Sequence, residues 1–177
     1  MKKAVVLFVL IIGIIYVANA QRFGYVDTDF ILNKMPEYTK AQQDVNKLSK
    51  EWQADIQKQY KDIESMYNEL QAEEVLLTKE MKDERIDAIR TKENEVKEYH
   101  KKVFGFEGLL FLKKKELITP IQDKVFEATE KVAKEHKLEI IFDKASDIVM
   151  IYTDPKHDYT DYVLEELGLG DSNDMIK

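Results

Sequence analysis

The side chains that most often carry out chemistry are scattered along this sequence of 177 residues. The three histidines are isolated, with no second histidine four residues away and no neighbouring ligand set: His100, His136 and His157. Adjacent carboxylates such as Glu73 and Glu74 point in different directions on a helix. The sequence contains no G-x-S-x-G, P-loop or G-x-G-x-x-G motif. It therefore predicts no enzyme, no metal site and no cofactor.

The N-terminus has the pattern of an export signal. Lys2 and Lys3 precede an apolar run, and Ala18-Asn19-Ala20 is an A-x-A cleavage site. We expect residues 1–20 to be removed. A retained membrane anchor is the alternative, although the apolar run is shorter than the roughly 20 residues of a spanning helix. No cysteine is present for a disulfide or for lipid attachment.

The charge and composition of the chain further narrow the class of protein to which it can belong. The chain has a net charge of −7. Without Lys2 and Lys3, 25 basic side chains face 34 acidic ones, a net charge of −9, which argues against nucleic acid as a partner. Charged residues make up 34% of the chain, and glycine and proline together only nine residues. This composition is typical of long solvated helices.

Residues 37–136 are predicted to form a long antiparallel helical hairpin. Apolar residues in its first half recur at steps of three or four and so lie on one helix face: Tyr38, Ala41, Val45, Leu48, Trp52, Ile56, Tyr60, Ile63, Tyr67 and Leu70. The pattern then stops ahead of Thr78, a good N-cap residue. We expect the hairpin tip near residues 73–80.

The returning half repeats this spacing, and we expect a single long helix there. Its apolar residues include Met81, Ile89, Val96, Val103, Ile121 and Val132. Pro120 removes a backbone donor and crowds the preceding turn, so we expect the helix to bend at this residue.

Residues 21–36 and 137–177, on either side of the hairpin, are predicted to form a small sheet body with short helices. Three β-prone runs, Phe23–Asp27, Leu138–Asp143 and Ile148–Tyr152, predict its strands. A core this small gives little stability on its own, and the edges of its sheet are open. We therefore expect oligomerisation to complete the sheet and its core. The residues predicted for this core or the oligomer contact are Tyr25, Val26, Ile140, Ile141, Phe142, Val149 and Ile151.

Residues 104–112 are the most informative local feature of the predicted hairpin. Apolar side chains surround the helix here, with one charge among nine residues, and one partner helix cannot cover them all. Two glycines, Gly105 and Gly108, each cost about 1 kcal/mol relative to alanine in a helix. They indicate close packing or a flexible point.

Taken in order, these segments resemble the Skp/OmpH family of periplasmic chaperones over nearly the whole chain after residue 20. The matching segments are FGYVDTDFILNKMPEY, LLTKEM, TPIQDKVFEATEKVAKEHKLEIIFDKAS, IVMIYTD and DYTDYVLEELG. The resemblance implies a mostly α, α+β fold in which a hairpin tentacle projects from a small sheet body. It also implies a homotrimer, in which three bodies complete a barrel-like core.

The implied function is ATP-independent holding of unfolded outer-membrane or envelope proteins, so that they do not aggregate. The protein would be periplasmic, soluble or peripherally associated with the outer membrane. The client-contact residues would be Phe104, Phe106, Leu109, Leu110, Phe111 and Leu112, although packing within the hairpin or the oligomer explains them equally well. The alternative function is a membrane-anchored coiled-coil stalk or scaffold. Familiar members of the family are basic, whereas this chain is acidic. Its negative charge argues against binding of acidic lipid by the body.

Overall fold

The computed structural model describes residues 22–170, so the predicted signal peptide lies outside the described residues. Within this range the elements are β1 (Phe23–Val26), α1 (Thr28–Lys34), α2 (Pro36–Glu73), α3 (Lys79–Phe104), α4 (Leu109–Glu135), β2 (Ile140–Asp143), a 3-10 turn (Pro155–His157) and α5 (Thr160–Glu166). The prediction of a mostly helical α+β fold is confirmed.

The chain divides into two compact units. The hairpin unit is Met35–Asp123, and the sheet unit consists of the described residues before and after it. On the returning side, the sheet unit begins at Lys124, inside α4. Three apolar residues in this part of α4 are buried: Val125, Ala128 and Val132. The sheet unit therefore includes buried apolar side chains of α4 from Val125 onward.

The sheet unit is built on two parallel strands. β1 and β2 pair with Tyr25 opposite Phe142, and parallel neighbours require a crossover connection, here the whole of residues 27–139. At the other edge of β1, the Tyr159 N–H donates to the Tyr25 carbonyl at 2.9 Å. Both edges of β1 are therefore occupied, whereas β2 has one strand neighbour within the described residues.

The third strand predicted over Ile148–Tyr152 is wrong, because this segment forms no strand. A turn follows β2, in which the Ser146 N–H donates to the Asp143 carbonyl at 3.2 Å. The chain beyond this turn does not pair with β2, and Ile151 is 97% exposed. The second edge of β2 is open within residues 22–170, but β-branched side chains favour a strand only where they can pack against neighbours. Ile148, Val149 and Ile151 instead have most of their surface exposed.

Polar contacts at the ends of the strands hold the helices of the sheet unit in place. The Thr28 hydroxyl donates to the Asp143 carboxylate at 2.7 Å, and the Asp27 N–H donates to the Thr160 hydroxyl at 3.0 Å. These bonds join the start of α1 to the end of β2 and the end of β1 to the start of α5. Val26 and Val163 are buried in the core that results.

α2 and α3 pack against each other in antiparallel orientation in the hairpin unit. Ile56 and Ile63 of α2 form a buried cluster with Ile89 and Val96 of α3. Burial of such side chains contributes about 1.5 to 3 kcal/mol each. α2 contains 38 residues, which corresponds to a length of about 57 Å at 1.5 Å per residue.

The chain reverses between Glu73 and Lys79. Thr78 caps α3, as predicted, because its hydroxyl oxygen accepts a hydrogen bond from the Met81 N–H at 3.3 Å. The Arg85 guanidinium lies 3.5 Å from the Glu73 carboxylate across the turn, and Lys82 pairs with Glu74. Capping and two ion pairs therefore define the tip.

The returning half of the hairpin is not one helix. α3 ends at Phe104 and α4 begins at Leu109, whereas Pro120 lies inside α4. The prediction of a single helix was therefore wrong, and the interruption lies at residues 105–108. Gly105 has an extended backbone and Glu107 has a φ of 51°, a conformation that ends a right-handed helix.

Candidate functional site: an exposed apolar segment on the hairpin

The histidines lie against aromatic rings. His157 stacks on Phe23 with 4.7 Å between ring centroids, and His136 lies 4.5 Å from the Tyr162 ring. Within residues 22–170, no three His, Cys, Asp or Glu side chains come together as metal ligands. The exposed apolar surfaces are therefore the features from which we build a candidate site.

The turn at residues 105–108 is closed by backbone hydrogen bonds. The Gly105 N–H donates to the Lys101 carbonyl at 2.8 Å, and the Gly108 N–H donates to the Gly105 carbonyl at 2.9 Å. A Cβ atom added to Gly108 would lie 2.6 Å from the Val103 oxygen, and one added to Gly105 would lie 2.3 Å from the Lys101 oxygen. Both obstacles are backbone atoms, so the turn requires glycine at each position.

This turn presents Phe106 to solvent with 97% of its surface exposed. Phe111 and Leu112, in the first turn of α4, are 50% and 52% exposed. Phe104, at the end of α3, packs instead against the Ile56–Ile63–Ile89–Val96 cluster. Of the six residues predicted as client contacts, Phe106, Phe111 and Leu112 are therefore exposed. Leu109 and Leu110 are half-buried, and Phe104 packs within the hairpin.

The hairpin tip is a second exposed apolar surface, which sequence reasoning treated only as a turn. Val75 and Leu76 are 92% and 80% exposed. The signal in the sequence was the apolar run Val75-Leu76-Leu77 at a predicted turn, where polar residues are usual. The hydrogen bond from Lys82 lowers the pKa of Glu74 beside this surface.

The residues predicted for the body core or the oligomer contact divide into two groups. Tyr25 and Val26 are buried within the chain and Ile141 is half-buried. The exposed group is Ile140, Phe142, Val149 and Ile151. Of these four, Phe142 lines an open cavity of about 390 Å³, whose other walls are chiefly aromatic and aliphatic side chains of β1 and residues 148–157.

Comparison with known proteins agrees with this architecture. The family model for OmpH-like outer membrane protein matches residues 22–167. An uncharacterized protein of Aquifex aeolicus is 31% identical over 167 residues, which are 94% of this chain and 96% of that protein. The fold is also that of a candidate outer membrane chaperone (OmpH-like) from Caulobacter crescentus. The TM-score with that structure is 0.68 at 11% identity, covering 84% of this chain and 83% of the other.

The fold places the chain among small α+β proteins that carry a long helical hairpin. Within that class it belongs to the OmpH-like outer membrane protein family, which confirms the resemblance drawn from the sequence. Within residues 22–170, none of the helices combines the length and the apolar composition that a membrane span requires.

Proposed function

We propose that this protein is an ATP-independent holding chaperone, which binds unfolded outer-membrane or envelope proteins in the periplasm and prevents their aggregation. The observation that carries the proposal is the exposure of Phe106, Phe111 and Leu112 on the hairpin. The chain belongs to the OmpH-like outer membrane protein family, and its fold resembles that of a candidate outer membrane chaperone. Exposed apolar side chains next to charged ones are typical of surfaces that bind other polypeptides.

The strength of these contacts suits a holding function. Burial of apolar surface contributes about 25 cal/mol per Å², and Phe106, Phe111 and Leu112 each have at least half of their surface available. Each contact is then weak on its own. Several hairpins in one oligomer would add such contacts through a high effective concentration, while a client could still leave one contact at a time without ATP.

We infer that the working form is a homo-oligomer, and a trimer is the form we propose. Two features of the sheet unit support an oligomer: the second edge of β2 has no strand neighbour within residues 22–170, and Val149 is 85% exposed. Exposed strand edges and apolar side chains are stabilised when copies pair. In this arrangement, residues 140–152 of three chains would complete the barrel-like core.

An aggregation assay tests the proposal. Phe106→Ser with Phe111→Ser should markedly weaken suppression of aggregation of a denatured outer-membrane protein, because the change removes two aromatic contacts per chain. Val75→Ser with Leu76→Ser is the matched control: it makes two apolar residues polar on another exposed surface, the tip. We expect this control to keep most of the activity.

Native mass and helical circular dichroism should be the same for both variants as for the unchanged protein. Full suppression by the Phe106/Phe111 variant would contradict the client site. Intact protein found in membranes with residues 1–20 still attached would instead favour the anchored stalk.

A further inference from the structure

Residues 97–115 of the hairpin differ in charge from the rest of it. This segment, which we call the lysine-flanked segment, contains six lysines and two glutamates. Residues 35–96 of the same unit contain ten basic and fifteen acidic residues. The exposed apolar segment therefore lies within a locally cationic stretch of an acidic protein.

The lysines lie on both sides of the interruption between α3 and α4. Lys101 and Lys102 precede it, and Lys113, Lys114 and Lys115 follow it, all of them exposed or half-buried. Lys113 lies 2.7 Å from Glu116. Within the described part of the chain, no carboxylate lies within 4.0 Å of the other five ammonium groups of the segment. These ammonium groups are thus available to a ligand.

The helical spacing puts charge and apolar surface side by side. Lys114 and Lys115 are three and four residues after Phe111, the positions that neighbour it on a helix surface. One turn of helix rises about 5.4 Å, which is less than the screening length of about 8 Å at physiological salt. A chain that contacts Phe111 therefore also experiences these charges.

We propose that the lysine-flanked segment selects unfolded segments in which acidic residues alternate with aromatic or aliphatic ones. The proposal rests on the holding function proposed above and gives that function a preference among clients. Acidic side chains of the client would pair with the lysines, while its apolar side chains cover Phe106, Phe111 and Leu112. One exposed ion pair changes an affinity by about 1.4- to 5-fold.

A flexible acidic polypeptide fits this surface better than an anionic membrane does. Without the lysine-flanked segment, which contributes +4, the remainder of the chain has a net charge of −11. A membrane is extended and would face these other acidic surfaces as well. An unfolded segment can contact the lysine-flanked segment alone, because repulsion beyond the screening length is weak.

Peptide binding tests the preference. Three fluorescent, unstructured peptides would share the same phenylalanine and leucine positions, with aspartate, lysine or serine between them. The protein should bind the aspartate peptide most tightly at low salt, and raising the salt should remove most of the difference. Lys113→Gln with Lys114→Gln and Lys115→Gln should weaken binding of the aspartate peptide by about tenfold and leave that of the serine peptide within about twofold.

The matched control replaces three exposed cations nearer the hairpin tip, Lys61, Lys79 and Arg90, with glutamine. It makes the same change in net charge and should lower the affinity for the aspartate peptide by less than about twofold. Equal loss in both variants, or equal affinity for the aspartate and lysine peptides, would overturn the preference while leaving the holding function intact.

Two other results are equally decisive. If none of the three peptides binds and aggregation of a denatured outer-membrane protein is not suppressed, the proposed holding function itself fails. If vesicles of anionic phospholipid bind through Lys113, Lys114 and Lys115 and the aspartate peptide does not bind, the segment recognises a lipid surface and the polypeptide proposal is wrong.

Discussion

Gly108→Ala tests whether the turn at residues 105–108 requires glycine, because the sign of the change in the free energy of unfolding differs between a turn and a continuous helix. In an ordinary helix, alanine is more stable than glycine by about 1 kcal/mol. Here the added Cβ would lie 2.6 Å from the Val103 oxygen and 3.0 Å from the Gly105 oxygen. Both are backbone atoms, so the turn itself must open.

The expected magnitude follows from the hydrogen bonds near the turn. Opening it breaks the bond from the Gly108 N–H to the Gly105 carbonyl and disturbs the bond from the Leu112 N–H to the Gly108 carbonyl, which are 2.9 and 3.0 Å long. Two such bonds contribute about 1 kcal/mol each. Alanine restores about 0.5 to 1 kcal/mol by restricting the unfolded chain. We expect the free energy of unfolding to fall by about 1 to 1.5 kcal/mol.

Urea unfolding at fixed protein concentration, followed by circular dichroism at the helix band, measures this change. Asn94→Ala is the control, because Asn94 is exposed in the middle of α3. Alanine at that position should raise stability by a few tenths of a kcal/mol. A Gly108→Ala variant more stable than the unchanged protein would refute the reasoning, because it would mean that a continuous helix replaces the turn without loss.

Two further predictions concern the hairpin tip. Thr78→Ala should lower the free energy of unfolding by about 1 kcal/mol, because the Met81 N–H loses its capping acceptor, and Thr78→Ser should restore most of the loss in the same urea assay. The pKa of Glu74 is lowered because the carboxylate accepts a hydrogen bond from Lys82. This pair therefore stabilises the fold fully above the ordinary glutamate pKa of about 4.3. Its stabilisation is lost as the pH falls through the lowered pKa. Lys82→Ala should therefore reduce the thermal midpoint at pH 7 and leave it unchanged near pH 2, and an equal reduction at both pH values would contradict this assignment.

Much of the hairpin could be predicted from the sequence because local rules govern it. A stripe of apolar residues at helical spacing needs only a partner helix, so the spacing alone places Ile56, Ile63 and Val96 on the face that is packed in the structure. Thr78 was recognised as a cap because capping depends on residues within one turn. The family could also be recognised, because the order of its segments is a property of the sequence.

The interruption at residues 105–108 was harder to predict. Two glycines in an apolar stretch indicated either close packing or a break, and propensity alone does not distinguish them. The predicted distortion of the returning helix was a bend at Pro120, since proline removes a backbone donor. Yet α4 continues through Pro120, whereas the left-handed backbone at Glu107 ends the helical path at the glycines.

The sequence by itself determined that the chain is mostly helical, that it doubles back near Thr78 and that it belongs to the OmpH-like outer membrane protein family. Only the tertiary structure decided that β1 pairs in parallel with β2 across residues 27–139, and that residues 148–152 remain unpaired. It also decided that Phe106 is exposed while Phe104 is packed. The physical reason is that helical spacing and capping are set within a few residues. Strand pairing and exposure depend instead on which distant segments occupy each edge and face.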